Sequence, residues 1–322
     1  MLNDELIIYV SSRNNYDMLE GEVFNNIDTE GFEFINVDDC SCEEEVIKGK
    51  KICESKGVVF LQNKGRGVQM STQTLIDFIN KERPNCKWIF CFQHDNYPIT
   101  KNFFKTLRGY ILSGSLDDIG SVGFNQLDYG EYTNDSFERY TKGEFVLGMM
   151  GSMHLSMKNG SRWLCPRDNQ TILNHKGWKT PYVIEFPMWS AVGINVRLWN
   201  TSIKPTEDYQ FHLWFPDVSM QFAVKNFPCV MIPKLYCFNH QALKGKYGIG
   251  VKSARGAMQG NEYHFGKYSN FSAWKSRWGW DFEKVEATFN GTRDKYKNTL
   301  IWDFYHHDLR NGPLKNISLY LS

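Results

Sequence analysis

Four short apolar, β-rich runs separated by polar and helix-periodic stretches fill the first hundred residues, and this alternation restricts the fold more than any other feature of the chain. Leu6-Ile7-Ile8-Tyr9-Val10 ends in Ser11-Ser12-Arg13-Asn14, and Phe32 to Val37 ends in Asp38-Asp39. Val58-Val59-Phe60-Leu61 is followed by Gln62-Asn63-Lys64-Gly65-Arg66-Gly67, and Trp88 to Phe92 by Gln93-His94-Asp95-Asn96. Runs of this length with β-branched and aromatic residues predict buried strands. The spacing of Val46, Ile47 and Ile52 predicts a helix over 42–56 stopped by Gly57, and Leu75, Ile76 and Ile79 predict another over 71–80. Strands that alternate with helices favour a parallel sheet, whose ligands bind outside the carboxyl ends of the strands.

The later sequence continues with a predicted helix over 103–112 and a strand over 119–124. Residues 125–180 are polar and rich in Gly, Asn and Lys, and carry no clear periodicity. Regular patterning returns at Tyr182 to Val196, then in a helix over 218–224 and a strand over 229–233. A Gly- and Lys-rich stretch over 244–260 precedes a Trp-rich, helix-like tail. No internal repeat or clean linker divides the chain, so the expectation is one domain over 1–322.

Charge and hydropathy exclude several partners. The formal net charge is +1, which gives no electrostatic reason to expect nucleic acid as a partner. No apolar run approaches the ~20 residues of a transmembrane helix. The N-terminus shows no basic and apolar leader, and the eight cysteines show no C-x-x-C pair. A soluble cytoplasmic protein with free thiols is expected, a reading compatible with peripheral attachment to a membrane.

If the four strands lie parallel, their polar tips converge on one edge. Such an edge suits a nucleotide: carboxylates accept from base or ribose, glycines let the backbone approach, and Arg or Lys offsets phosphate charge. The order and spacing of these elements resemble the GT-A glycosyltransferases, especially inverting family 2, over roughly residues 6 to 282. The resemblance implies a Rossmann-like, mixed but mainly parallel sheet flanked by helices, with a helical C-terminal tail. It divides the chain into a nucleotide-sugar half (1–100), an acceptor and catalytic half (101–240), and a lid and tail (241–322). It also implies transfer of a sugar from a nucleotide-diphosphate sugar to a glycan or other hydroxyl acceptor, with inversion.

The donor contacts implied by the resemblance are Ser11, Arg13, Asp38, Asp39, Asn63, Gly65, Arg66, His94 and Asp95. The family's Asp-x-Asp metal motif falls on Gln93-His94-Asp95, with its first carboxylate replaced. Asp95 and the distant His240 are then the expected metal ligands, and a mixed nitrogen and oxygen set favours Mn2+ over Mg2+. Trp189 and Gly193 match the acceptor and donor-sugar pocket, and Lys244 and Lys246 a lid that meets the diphosphate. Asp217 matches the catalytic carboxylate, as general base to the acceptor hydroxyl, with Glu207 and Asp208 as substitutes. Asp217 would equally suit a helix N-cap. Phe271 to Gly279 resembles the family's tail motif and assigns no chemistry.

Other classes fit less well. Gly65-Arg66-Gly67 lacks the third glycine of a dinucleotide loop and follows the third strand, not the first. A sugar nucleotidyltransferase would carry a basic Gly-rich loop after strand one, and here there is none. The main alternative is a glycan- or nucleotide-sugar-binding protein that kept the scaffold without catalysis.

Overall fold

The computed structural model describes residues 4–93, 96–128, 152–158, 161–166, 182–184, 186–187, 190–209, 213–225, 227–239 and 271–278. Four parallel strands begin the main sheet: β1 (Leu6–Ser12), β2 (Phe34–Asp38), β3 (Val59–Gln62) and β4 (Trp88–Gln93). β1 lies between β2 and β4, and β3 flanks β2. Their connections are α1 (Tyr16–Met18), which runs into a π-helical segment at Leu19–Phe24, then α2 (Glu43–Ser55) and α3 (Val68–Glu82). Gly57, with φ 65°, follows α2 in the left-handed conformation that stops a helix at little cost.

The second half extends the same sheet. Its elements are β5 (Asn96–Pro98), α4 (Phe103–Leu112), β6 (Ser121–Asp128), β9 (Tyr182–Ile184), β11 (Ala191–Asn195), α5 (Val196–Ser202), α6 (Trp214–Val224) and β12 (Cys229–Asn239). The strand order is β3-β2-β1-β4-β11-β6-β12-β5, with β9 also paired to β12. β11 runs antiparallel to both β4 and β6, so one reversed strand joins the two halves. The remaining strands, β7 (Ser152–Lys158), β8 (Ser161–Pro166) and β10 (Phe186–Pro187), form a separate three-stranded sheet. A last helix, α7, spans Phe271–Trp278. No helix among the described residues is long and apolar enough to cross a membrane.

The strand pleat explains the core. Successive side chains of a strand face opposite ways, so a sheet covered on both faces needs apolar residues at every position. Leu6, Ile8 and Val10 of β1 and Trp88, Phe90 and Phe92 of β4 pack with Phe103, Phe104 and Leu107 of α4. Ile7 and Tyr9 of β1 and Ile89 and Cys91 of β4 pack on the other face with Leu75, Ile76 and Ile79 of α3 and Trp214 and Val218 of α6. Cys40, Cys42, Cys53, Cys86, Cys91, Cys229 and Cys237 are free thiols.

Two helices start about a turn before the sequence reading placed them. α3 opens at Val68, directly after Gly67, whose φ of 92° turns the chain into the helix. α6 opens at Trp214, so Pro216 sits in the first turn, where its missing N–H breaks no helical bond. Asp217 therefore lies inside the helix, its N–H bonded to Leu213 O at 2.9 Å, and the N-cap reading of this residue is overturned.

Candidate functional site

Because β1 to β4 are parallel and adjacent, the four polar tips lie along one edge, with the N-terminus of α3 beside them. At the tip of β2 the two aspartates divide their tasks. Asp38 Oδ2 accepts from Tyr16 Oη at 2.6 Å and Oδ1 from Ser41 N at 3.1 Å. Asn36 Nδ2 also reaches Tyr16 Oη, and Ser12 Oγ lies 2.7 Å from Asn36 Oδ1. Burial and the adjacent Asp38 push the Tyr16 phenol up, so it stays protonated and donating. Both carboxylate oxygens of Asp38, the expected donor contact, thus accept a hydrogen bond inside the protein.

Asp39 holds the loop that follows β3. Its Oδ1 accepts from Asn63 Nδ2 and from Gly67 N, each at 2.8 Å. Asn63 in turn accepts on Oδ1 from Gly65 N and from Thr74 Oγ1, each at 3.1 Å. Asn63 is therefore the clasp of the loop. Ser11 Oγ pairs with Ser71 Oγ of α3 at 2.8 Å. A Cβ at Gly65 would stand 2.6 Å from Glu207 Oε1 and 3.1 Å from Met70 Cβ, so a side chain there would displace the exposed Glu207 carboxylate.

Burial raises the Asp39 carboxyl above its ordinary range, against the lowering effects of Asn63, Gly67 and the Arg13 charge. The folded protein then binds the Asp39 proton more tightly than the unfolded chain does. The associated stability is present below the ordinary value of 3.8 and is lost as pH rises through the raised value. A carboxamide in place of the Asp39 carboxylate keeps an acceptor for both donors and carries no charge. Asp39→Asn is therefore expected to gain stability relative to the native protein between about pH 4 and about pH 7. Urea unfolding at the two pH values checks this, and a pH-independent difference would refute the assignment.

Three further polar nitrogens point to an anion at this edge. Arg13 Nε, Arg66 Nε and Gln93 Nε2 are buried and have no hydrogen-bond partner among the described residues. Both guanidinium groups act on the Cys40 thiol, which places them around the tip of β2. Asn96, wholly buried at the start of β5, likewise has Nδ2 and Oδ1 unpartnered among the described residues.

A second cluster joins α3 to α6. Asp217 is fully buried, and its Oδ2 accepts from Gln69 Nε2 and Gln221 Nε2, each at 2.9 Å, with Arg277 Nη1 of α7 at 3.3 Å. Gln69 also donates to Trp214 O at 2.8 Å and accepts from Thr206 N at 3.0 Å. Arg277 Nη2 donates to Lys204 O at 2.6 Å, and Gln221 Oε1 accepts from Lys204 N at 2.7 Å. Glu207, exposed, accepts from Arg66 N at 3.2 Å, and so links the 204–208 segment to the Gly65-Arg66 loop. Asp208, also exposed, accepts from Thr206 Oγ1 at 2.8 Å.

Several expected site residues are placed elsewhere. Gly193 lies within β11, where a Cβ would meet Val122 Cγ2 at 2.5 Å and Trp88 at 3.6 Å, so the close packing there requires glycine. His94, Asp95, Trp189, His240, Lys244 and Lys246 lie outside the described residues. Among the described residues no group of His, Cys, Asp and Glu side chains gathers as a cation site. The two described residues that flank the expected ligand Asp95 are the neutral amides Gln93 and Asn96; the unpartnered N–H of Gln93 does not fit a cation, whereas Asn96 leaves both an N–H and a carbonyl oxygen unpartnered. The sequence reading missed Tyr16, Gln69, Gln221 and Asn96, and gave Arg277 no role.

No family model matches the chain, and no curated protein matches it. Solved structures do. GalNAc-T7 with UDP, GalNAc and Mn2+ is 11% identical, with a TM-score of 0.53, over 98% of this chain and 57% of that one. S. aureus TarS residues 1–349 is 12% identical, with a TM-score of 0.38, over 72% of this chain and 60% of that one. A second S. aureus TarS structure, also 12% identical, has a TM-score of 0.41 over 76% and 38%. The chain spans less than two thirds of each of these proteins. Together with the mixed, mainly parallel sheet and its flanking helices, the likeness to GalNAc-T7 shows that the chain has a GT-A-type, Rossmann-like glycosyltransferase fold.

Proposed function

We propose that the chain is a glycosyltransferase that moves a sugar from a nucleotide-diphosphate sugar to a glycan or other hydroxyl acceptor, with inversion. The observation that carries this reading is the strand-tip edge. Arg13 and Arg66 bring buried, unpartnered guanidinium nitrogens to a loop that Asp39 and Asn63 hold against the start of α3. Guanidinium groups and backbone N–H groups at a helix N-terminus suit a diphosphate. Asp39 Oδ2 lies outside the two loop bonds and suits a ribose hydroxyl. The reading also takes 1–322 as one domain whose first hundred residues bind the donor.

In this reading Asp217 takes the proton from the acceptor hydroxyl as that oxygen attacks the anomeric carbon and the diphosphate leaves. Gln69, Gln221 and Arg277 orient its carboxylate. A specific observation favours a second assignment: Asp217 is wholly buried, whereas Glu207 is exposed beside the Gly65-Arg66 loop. There Glu207 is the base and Asp217 anchors the helices. The cation proposed from the resemblance has Asp95 and His240 as its ligands, and no step above is routed through it.

The test is turnover. Purified protein is offered UDP-, GDP- and dTDP-sugars with and without Mn2+, and hydrolysis or transfer is followed by nucleotide release. At least one donor should turn over. Nucleotide binding by calorimetry without turnover would favour the binding-protein alternative, and absence of both would end the reading.

A further inference from the structure

Three buried nitrogens without partners lie at the strand-tip edge, Arg13 Nε, Arg66 Nε and Gln93 Nε2, while Asn96 on β5 leaves both Nδ2 and Oδ1 unpartnered, among the described residues. Folded proteins leave few such groups, because each costs about 1–3 kcal/mol when desolvated and unpaired. Gln93 closes β4 and Asn96 opens β5, on either side of the two-residue step at 94–95. Register places Gln93 beside Ser11 of β1, two residues from Arg13. Asn96 pairs with Asn239 at the end of β12, so its amide is fixed by a strand ladder on a wholly buried residue.

The chemistry of Arg13, Arg66 and Gln93 is one-sided, whereas Asn96 leaves an acceptor as well as a donor unpartnered. Guanidinium groups cannot accept a hydrogen bond, and an amide N–H repels a cation and attracts an anionic oxygen. At Gln93 a carboxylate would repel a phosphate unless a metal stood between them, whereas a carboxamide can donate to it. We infer that Gln93 donates its side-chain N–H directly to a phosphate oxygen of a nucleoside diphosphate, alongside Arg13 and Arg66, so that this ligand binds without a divalent cation. The inference rests on the donor-site reading given above and changes its chemistry from cation-bridged to donor-bound. It also gives Gln93 a function of its own, in place of a missing ligand.

Titration calorimetry with UDP, in EDTA and in Mn2+, tests the inference on the full chain, with pyrophosphate as competitor. UDP should bind in EDTA within about tenfold of its affinity in Mn2+, and pyrophosphate should displace it. Gln93→Leu removes the donor and should weaken UDP in EDTA by about ten- to a hundredfold, the size of one hydrogen bond to a charged group. Because the variant also removes a buried unpaired amide, its melting temperature should not fall, which separates a lost ligand contact from lost folding. Gln93→Glu should lose UDP in EDTA and recover it in Mn2+. Binding by the native protein that occurs only with Mn2+ would overturn the inference and leave the glycosyltransferase reading standing. Absence of nucleotide binding in both conditions would overturn both.

Discussion

Asp217→Ala is expected to destabilise the protein by about 3 kcal/mol or more, because it strips the common acceptor from Gln69, Gln221 and Arg277 at a wholly buried position. The Arg277 side chain is 25% exposed, so water recovers part of that loss and the cost stays toward the lower end for a broken buried pair. Asp217→Asn keeps the shape and one acceptor, and should fold at reduced stability. Its turnover is what separates the two base assignments. With Asp217 as base, Asp217→Asn loses about a hundredfold or more in kcat, the order of a general-base contribution, while donor affinity changes little. With Glu207 as base, Glu207→Gln shows that loss and folded Asp217→Asn retains transfer. Denaturant melts and steady-state kinetics on the two variants decide the question.

Phe90→Ala should cost about 3–5 kcal/mol, the usual range for truncating a buried phenylalanine. Phe90 is wholly buried, and its ring centroid lies 5.1 Å from Phe92, 5.1 Å from Phe103, 5.3 Å from Phe104 and 5.0 Å from Phe124. Tilted and edge contacts of this kind add to the loss of apolar burial. Against a typical total of about 5–15 kcal/mol, such a loss removes a large share of the stability. Phe90→Leu leaves most of the volume and should cost about 1.5 kcal/mol or less if its neighbours repack. A urea midpoint for Phe90→Ala near that of the native protein would mean that this face of the sheet is not a close-packed core.

The first hundred residues were legible because each element announces itself locally. Trp88 to Phe92 is a continuous apolar run, and the structure adds one residue to it; the periodic stretch at 103–112 forms α4 with the same bounds. The pairing of β7 with β8 was not read from the sequence. Met153, Leu155 and Met157 alternate with polar residues, and β7 pairs antiparallel with β8 from Met153 opposite Pro166 to Lys158 opposite Ser161. The polar composition of 125–180 hid that period.

Within the site, Asp39 and the Asn63 to Gly67 loop were legible as strand tips, but the task of Asp38 was not. It depends on Tyr16, which arrives from α1, and no local pattern shows that a phenol will reach a carboxylate 22 positions away. The Gln69 to Asp217 bond spans 148 positions and is likewise set by packing alone. The packing of Gly193 under Val122 was not legible either, because a glycine beside a pocket motif and a glycine under a neighbouring valine look the same in sequence.

The reversed strand β11 also has a consequence for the birth of the molecule. β4 finds one partner, β1, in sequence already made, whereas its other edge pairs with nothing before Ala191. About a hundred residues separate the two, so at ribosomal rates of roughly 5–20 residues per second the Trp88 to Phe92 edge waits about 5–20 seconds for its neighbour. For that interval the nascent chain carries a naked, aromatic β-edge, the kind of surface that invites pairing with another chain and that chaperones shield.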